Sequence, residues 1–422
     1  MSMDKSLKSV LVIGFNSRPV VYSLAQVGYE VYAVDFFGDL DLFPLVKDCK
    51  IVVKELGSDY ECAKSAYHEF IADFSIELIN KHEYFDYIVI TSGLDDDLKE
   101  RQKIIDRIKD IKKKVIYANN SNESMKNARD IEKIYSFLQS NDFRIPLTIP
   151  LKKYLKNIDK ENFPIILKKK KGSGGINVYK ISGEKNLSFV LRTLKALKYD
   201  QSEWHIQEYI EGIPVSCTTI SNGKEAIIIS INRQVIGEKF LNSPNEFMYC
   251  GNIVPANLYK NEEILIEAMV KALCKKYGLL GINGFDFVIR DHHPYLMEIN
   301  PRIPGSLQAS EYALNLNILD LHLKCFETDG WMKVKEKLSN KEFSYFATKF
   351  IFFSPASIER DIIEKINKLE HIHDKTDPDS RITKGTPICS VLYKGKSLSE
   401  SYFGGLKIID KIKKIIQETN VL

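Results

Sequence analysis

Two carboxylates, an amide and an arginine lie close together in the segment GINGFDFVIRDHHPYLMEINPR. Glu298, Asn300 and Arg302 are two residues apart, so on an extended strand their side chains face the same side. The polar turn DHHP predicts a hairpin that brings Asp286 across to join them. Such oxygen ligands suit Mg²⁺, which takes one or two carboxylates and fills its other positions with phosphate oxygens and water. The segment therefore predicts a magnesium site beside a fixed cation, and a solvated hairpin face is the alternative.

A lysine-rich strand followed by a glycine-rich turn forms the second group of candidates, in the segment FPIILKKKKGSGGINVYK. Glycine lets backbone N–H groups approach phosphate oxygens without a Cβ in the way, and a lysine at a strand end can hold a phosphoryl oxygen. Lys168 shares its face with Ile166, so we predict that Lys168 points inward. The P-loop spacing GxxxxGK[ST] is absent, and a flexible basic surface turn remains the alternative. The turn contains Gly172, Ser173, Gly174 and Gly175.

The segment WHIQEYIEG predicts a strand that ends at Gly212. A strand edge with free backbone N–H and C=O groups can pair with the donor and acceptor of an adenine ring. Gln207, Glu208 and Ile210 would then line the slot. An amphipathic core strand with a polar rim is an equal alternative.

Three regions of different character must position these groups. The N-terminal region alternates strands and helices, which predicts a parallel sheet whose functional edge lies at the carboxyl ends of its strands. Residues 125–140 read as one helix, and antiparallel strands joined by glycine turns follow it. A third unit of strands and helices begins at about residue 331.

Composition excludes several classes of protein. The 60 basic and 56 acidic residues leave a formal charge of +4, which gives no case for a nucleic-acid binder. Seven scattered cysteines without a CxxC pair fit reduced thiols in a cytosol and argue against a zinc site. No signal peptide is recognisable, and no apolar run approaches the roughly 18 residues that span a bilayer. We therefore expect a cytoplasmic protein with no membrane or nucleic-acid partner.

In this order and at these spacings, the lysine strand with its glycine loop, QEYIEG and FDF…MEINPR resemble the ATP-grasp superfamily. Within it the chain is most similar to carboxylate–amine ligases and biotin carboxylase-like carboligases of the archaeal and methylotroph type. VLVIGFNSRPV resembles the domain that precedes the grasp, and GTPICSVLYKGKS resembles the small C-terminal domain of biotin carboxylase relatives.

The resemblance implies a fold of mixed α/β and α+β class in three domains. An N-terminal parallel α/β domain would occupy residues 1–120, and an ATP-grasp domain residues 121–330, with its lid at about 150–212. A small α+β domain would occupy residues 331–422.

The resemblance also implies cofactors and residue roles. ATP would bind with one or two Mg²⁺ ions, which Mn²⁺ can replace. Asp286 and Glu298 would bridge the metal, Asn300 would reach the second ion, and Arg302 would stabilise the transferring phosphoryl group. Lys168 would contact the α-phosphate side of ATP, and the glycine loop would close over the β- and γ-phosphates. The nucleotide-binding set would be Lys168, Gly172, Ser173, Gly174, Gly175, Gln207, Glu208, Tyr209, Ile210 and Glu211.

This chain departs from the family pattern at two positions. Lys169 stands where the family often has proline after the strand lysine. The acid that often binds the ribose hydroxyls a few residues after the adenine strand is missing, so only Glu211 or a remote residue could serve.

The implied reaction is phosphoryl transfer from ATP to a carboxylate, which gives an acyl phosphate that an amine or other nucleophile attacks. Positioning and charge neutralisation carry most of such catalysis, here by Lys168, Arg302 and Arg233. Arg233 and Arg302 could hold the substrate carboxylate bidentately. Ordinary structural roles remain open for several candidates: a salt bridge for Arg233, and helix caps for residues 95–97. The remaining substrate contacts would follow the first two strands, at Asn16, Ser17, Arg18 and Asp35, where a surface position for Arg18 and a turn role for Asp35 are the alternatives.

The partners expected are small-molecule carboxylates and amines, and a homodimer is one assembly that the sequence leaves open. The likeness to methanogen and methylotroph proteins suggests cofactor biosynthesis. An ATP-grasp small-molecule kinase and a non-enzymatic ATP sensor are the competing functions. An NAD-dependent oxidoreductase is disfavoured because the first turn, GFNSRP, lacks GxGxxG.

Overall fold

A parallel sheet with helices on its faces forms the N-terminal region, as the alternating pattern predicts. The structure is a computed structural model, and it describes residues 7–57, 60–82, 84–111, 113–156, 163–172 and 174–419. The strands are paired in the order β3-β2-β1-β4-β5. The first elements along the chain are β1 (Ser9–Gly14), α1 (Arg18–Gln26), β2 (Glu30–Asp35), β3 (Asp48–Ile51), α2 (Val52–Glu55), α3 (Tyr60–His82), β4 (Tyr87–Ile90), α4 (Leu98–Lys109) and β5 (Ile116–Tyr117). The apolar run of β1 is fully buried, as expected for a strand covered on both faces.

Two short helices follow the first sheet where the sequence predicts one helix over residues 125–140. They are α5 (Asn122–Ala128) and α6 (Ile131–Gln139). The helix is interrupted at Asp130, whose carboxylate accepts a hydrogen bond from the backbone N–H of Lys133 and caps α6. An internal cap therefore overrides the continuous apolar periodicity.

A four-stranded antiparallel sheet forms the next unit, in the order β6-β9-β7-β8. Its elements are β6 (Thr148–Pro150), α7 (Leu151–Tyr154), β7 (Ile165–Lys169), β8 (Val178–Ile181), α8 (Glu184–Ala196) and β9 (Trp204–Glu208). The glycine-rich turn joins β7 to β8, so it projects from one end of this sheet.

An eight-stranded sheet carries the rest of the chain, in the order β14-β13-β10-β11-β12-β15-β17-β16. Strands of the predicted C-terminal domain thus continue the sheet of the central region. Its elements are β10 (Ile213–Asn222), β11 (Ala226–Ile236), β12 (Tyr249–Val254), α9 (Lys260–Tyr277), β13 (Leu280–Arg290), β14 (His293–Asn300), α10 (Leu307–Leu314), α11 (Ile318–Lys324), α12 (Gly330–Leu338), β15 (Phe346–Phe353), α13 (Arg360–Asn367), β16 (Ile372–His373), β17 (Pro387–Gly395) and α14 (Leu398–Thr419).

Buried amide hydrogen bonds fix the first sheet against the large one. Asn120, which follows β5, donates to Asn283 Oδ1 at 2.7 Å and to the Pro301 carbonyl at 2.8 Å. Its own Oδ1 accepts from the backbone N–H of Leu280 at 2.7 Å. These bonds hold both ends of the β13–β14 hairpin against the N-terminal region.

No described helix is long and apolar enough to cross a membrane. The six cysteines for which the structure describes side chains are all free thiols.

Glu311 on α10 makes the stability of the fold depend on pH. Its Oε1 accepts from Ser23 Oγ at 2.6 Å and from the backbone N–H groups of Ile318 and Leu319 at 2.7 and 3.3 Å. Burial raises the pKa of Glu311 from 4.5 to about 7. The hydrogen bonds from these donors lower the pKa, but burial has the larger effect. In this window the unfolded chain has released the proton that the folded protein keeps. Stability therefore falls as pH rises from 4.5 to 7.

We expect Glu311→Gln to remove this loss. The unfolding free energy of the wild type relative to the variant should decrease by about 3 kcal/mol across the window, as measured by denaturant unfolding at several pH values. Glu342→Gln, at an exposed position, is the control and should follow the wild type. A wild-type-minus-Glu311→Gln difference that stays constant with pH would contradict the assignment.

Candidate active site

The β13–β14 hairpin places Asp286 directly opposite Glu298, and Gly284 opposite Asn300. Its two-residue turn has left-handed backbone at Asp291 and His292, with φ of 51° and 60°, the conformation that matches the twist of paired strands. Asn300 Nδ2 donates to Asp286 Oδ2 at 2.9 Å and to Glu298 Oε1 at 3.3 Å. The three side chains that the spacing predicts as neighbours are therefore in contact.

Positive and polar side chains from other elements surround the carboxylates. Lys168, at the end of β7, lies 3.1 Å from Glu298 Oε2, so it points inward as its alternation with Ile166 predicts. Arg302 donates to Asp95 Oδ2 at 2.8 Å, and its Nη2 lies 3.5 Å from the Asn300 side-chain oxygen.

The two carboxylates differ in their titration. Burial and the neighbouring charge of Glu298 raise the pKa of Asp286 above its usual range. Burial alone would raise the pKa of Glu298, but the charges of Lys168 and Arg129 outweigh it and lower that pKa. Two carboxylates and an amide are a ligand set that fits Mg²⁺. No group of three or more His, Cys, Asp or Glu that could hold a metal occurs within the described ranges.

Three glycines of the glycine-rich segment line the same cavity as the carboxylates. Gly172, Gly174 and Gly175 all have positive φ, and an added Cβ on Gly175 would stand 1.8 Å from the Phe247 carbonyl oxygen. Ser173, which we predicted to bind nucleotide, lies outside the described residues.

Asp96 and Arg129 attach the loop to the N-terminal region. Arg129 pairs with Asp96 at 2.7 Å and donates to the Gly172 carbonyl at 3.0 Å. Asp96 also accepts from the backbone N–H of Gly172 at 3.0 Å. Of the three acids predicted to cap the next helix, only Asp97 does so, by accepting from the backbone N–H of Glu100. The prediction is wrong for Asp95 and Asp96, because each is paired with an arginine from a distant part of the chain.

The strand expected to offer a free edge to adenine is not an edge. β9 pairs with β6 on one side and β7 on the other, and this pairing ends at Glu208. Gln207 is buried and donates to the Tyr135 hydroxyl at 2.9 Å, so its side chain is already bonded. Only the backbone beyond Glu208, at Tyr209 and Ile210, lies past the ladder.

One cavity of about 720 Å³ joins most of the predicted site. Its lining includes Asn16, Lys168, Gly172, Gly174, Gly175, Gln207, Glu208, Tyr209, Ile210, Asp286, Glu298, Asn300 and Arg302. Glu211 is exposed and does not contribute to the lining, so the structure gives it no place beside a nucleotide.

Arg233, predicted to hold the substrate carboxylate, is exposed and lies outside the cavity lining. The next residue along β11, Gln234, faces the site instead and donates to Asp286 Oδ1 at 3.0 Å. Successive residues of a strand face opposite sides, so a shift of one position exchanges the two.

Three of the four predicted substrate contacts are structural. The backbone N–H and the hydroxyl of Ser17 donate to Asp35 at 2.6 and 2.9 Å. Ser17 and Asp35 therefore hold the loop after β1 and do not face the cavity. Arg18 is fully buried, and its Nη2 lies 2.6 Å from Asp374 Oδ1. The alternative prediction, a surface position for Arg18, is therefore also wrong. Only Asn16 lines the cavity.

Several lining residues escaped the sequence analysis. Arg129 and Gln234 belong to elements without any motif, and Lys349 lies inside the apolar strand FATKFIFF. Asp374 lies in the polar loop HDKTDPDSRITKG, whose composition indicates only a solvated turn. A lysine within an otherwise apolar strand was the one usable signal, because an unpaired charge is rarely buried.

Part of the chain matches a known domain family. Residues 128–306 match the family model described as ATP-grasp domain. An uncharacterized protein from Methanocaldococcus jannaschii is 28% identical over 393 residues, which cover 91% of this chain and 88% of that protein.

D-alanine–D-alanine ligase from Bacillus anthracis is 29% identical over 171 residues, 39% of this chain and 52% of the ligase. The chain thus spans about half the length of that relative. The solved structure of L-amino acid ligase from Bacillus licheniformis superposes with a TM-score of 0.66 at 17% identity, covering 96% of this chain and 97% of the ligase. At this identity the likeness shows a common fold alone.

Proposed function

The chain contains an ATP-grasp domain, and we propose that it is an ADP-forming ligase that activates a carboxylate as an acyl phosphate and joins it to an amine. The convergence of Asp286, Glu298, Asn300, Lys168 and Arg302 on one cavity is the observation that carries the proposal. The D-alanine–D-alanine ligase of Bacillus anthracis, which is named for joining amino acids, supports it.

Asp286, Glu298 and Asn300 would hold magnesium, which when bound neutralises charge on the phosphates of ATP. Lys168 would contact the phosphates from the β7 side, since its ammonium group already lies beside Glu298. Arg302 would stabilise negative charge on the phosphoryl group during transfer, held in place by Asp95. Gln234 would orient Asp286 through its hydrogen bond.

The chain supplies no nucleophile in this scheme, and none is needed. A carboxylate oxygen is a poor leaving group until it is phosphorylated, and phosphate then leaves when the amine forms the new bond. The glycine loop, held to the N-terminal region through Asp96 and Arg129, would keep water away from the acyl phosphate. The nucleotide base would lie beside Tyr209 and Ile210, where the β9 pairing has ended.

The first test is a screen of ADP release over paired acids and amines with Mg²⁺ and ATP. We expect ADP only when an acid is present, and hydroxylamine in place of the amine should yield the hydroxamate of that acid. A product whose mass is the phosphorylated acceptor alone, unreactive to hydroxylamine, would contradict ligation and identify a kinase. Tight nucleotide binding with no ADP release for any pair would favour a sensor.

The second test removes one predicted metal ligand. Glu298→Ala should lower turnover by several orders of magnitude while the protein keeps its circular dichroism spectrum and a cooperative unfolding transition. Glu342→Ala, an exposed glutamate outside the cavity, is the matched control and should turn over as the wild type. Turnover of Glu298→Ala near the wild-type rate would refute the metal assignment.

A further inference from the structure

A second part of the cavity is formed by the loops after β1 and β2 together with the C-terminal region. The two groups of residues are in direct contact, since the backbone N–H of Leu40 donates to the Lys375 carbonyl at 2.7 Å. The residues that line this part include Phe15, Asn16, Phe37, Asp39, Lys349 and Asp374.

This part of the molecule holds more carboxyl groups than cationic side chains. Its charged side chains are the carboxylates of Asp35, Asp39, Asp41 and Asp374 and the cations of Arg18 and Lys349. His373 does not offset the surplus, because burial and the charge of Arg18 lower its pKa to about 3. Buried charges in proteins are normally paired, and a further positive group here would favour ionisation of Asp39, whose pKa is raised by burial.

Three of the four carboxylates have partners within the protein. Asp35 accepts from the backbone N–H and hydroxyl of Ser17. Asp41 accepts from the backbone N–H of Asp374 at 3.2 Å. Asp374 is paired with Arg18 at 2.6 Å. These groups are committed to holding the two loops together.

Asp39 is the exception. Only 7% of it is exposed, it lines the cavity, and no described residue forms a hydrogen bond or ion pair with its carboxylate, on which the more distant charges of Arg18 and Lys349 act. Burial and the charges of Asp374, Asp35 and Asp41 raise its pKa well above its usual range. The carboxylate thus lacks a partner at a place where a ligand in the cavity can supply one.

We propose that Asp39 binds the ammonium group of the amine substrate, a primary amine whose apolar body lies against Phe15 and Phe37. This inference rests on the proposed ligase function for the role of that amine as the attacking group, and the ammonium group would give one proton to the Asp39 carboxylate before its nitrogen attacks. The aromatic wall is preformed, because the Phe15 ring packs at 5.0 Å from Phe37 and at 4.5 Å from Phe36. An ammonium group has three donors and one positive charge, which suit a single unpaired carboxylate beside ring faces.

A metal ion fits this place less well than an ammonium group. The acids here do not form a metal-binding group within the described ranges. The Asp41 carboxylate already accepts from a backbone N–H group, and the Asp374 carboxylate is already paired with Arg18. Asp39 alone would offer a divalent ion too few ligands.

The proposed amine site lies next to the part of the cavity that contains the β13–β14 hairpin. Lys349 Nζ lies 3.4 Å from the Gly305 carbonyl and 4.0 Å from Asp374. Tyr249 lies beside Gly305. Burial raises the pKa of Tyr249, and both Asp286 and Asp374 add to that rise. One tyrosine ring therefore lies within electrostatic reach of both parts of the cavity.

The test is direct binding of phenethylamine, measured by calorimetry with and without MgATP. Two analogues of similar shape, neutral 2-phenylethanol and anionic 3-phenylpropanoate, show whether the positive charge matters. We expect the wild type to bind the amine at least about tenfold more tightly than either analogue. Asp39→Asn should weaken amine binding by about tenfold or more while MgATP affinity stays within about twofold.

Asp361→Asn, at an exposed position on α13, is the matched control and should bind the amine as the wild type does. Asp39→Asn removes a carboxylate that three others repel, so its thermal midpoint should not fall below that of the wild type. If Asp39→Asn fails to fold, the difference in wild-type affinity between phenethylamine and 2-phenylethanol still tests the inference.

Equal binding of amine and alcohol by the wild type, or unchanged amine binding by Asp39→Asn, would overturn the inference. Because binding needs no turnover, the two proposals fail separately. Asp39-dependent amine binding without ADP release for any acid would overturn the ligase function and leave the ammonium site standing. Ligation with an amine KM unchanged in Asp39→Asn would overturn the ammonium site alone.

Discussion

Two carboxylates that face each other across a β-hairpin are the constraint on which the site depends. Asp286 and Glu298 are opposite one another in the β13–β14 register, and both are partly buried. Like charges this close cannot both ionise cheaply unless cations stand beside them. Lys168 supplies one cation from a different sheet, and the charges of Arg129 and Arg302 add to it. The relative position of the two sheets is therefore part of the chemistry.

The contacts that hold this position run through the N-terminal region. Asp95 holds Arg302, and Asp96 holds both Arg129 and the backbone of Gly172. Two successive acids at the carboxyl end of β4 thus fix the hairpin's arginine and the glycine loop at once. This explains why the first sheet matters to a site whose proposed metal ligands all lie elsewhere, and it matches the rule that parallel sheets bind ligands at the carboxyl ends of their strands.

Local patterns predicted the hairpin and the direction of Lys168, because both follow from alternation along a strand and from turn chemistry. Local patterns failed where the position or role of a residue depends on contacts with distant segments of the chain. β9 is an inner strand because β6, more than fifty residues earlier, pairs with it, and nothing in WHIQEYIEG reveals that partner. Arg233 and Gln234 were exchanged because the face of β11 that meets the site is set by tertiary packing. Arg18 and Asp35 became structural because their partners come from other parts of the fold.

We propose that Asp286 and Glu298 bind a divalent ion together with a nucleotide. The most direct measurement is anomalous scattering from a crystal grown with Mn²⁺ and a non-hydrolysable ATP analogue. We expect a manganese peak bounded by Asp286, Glu298 and the phosphates of the analogue. A bound nucleotide with manganese at another place in the molecule, or with none at the hairpin, would contradict it.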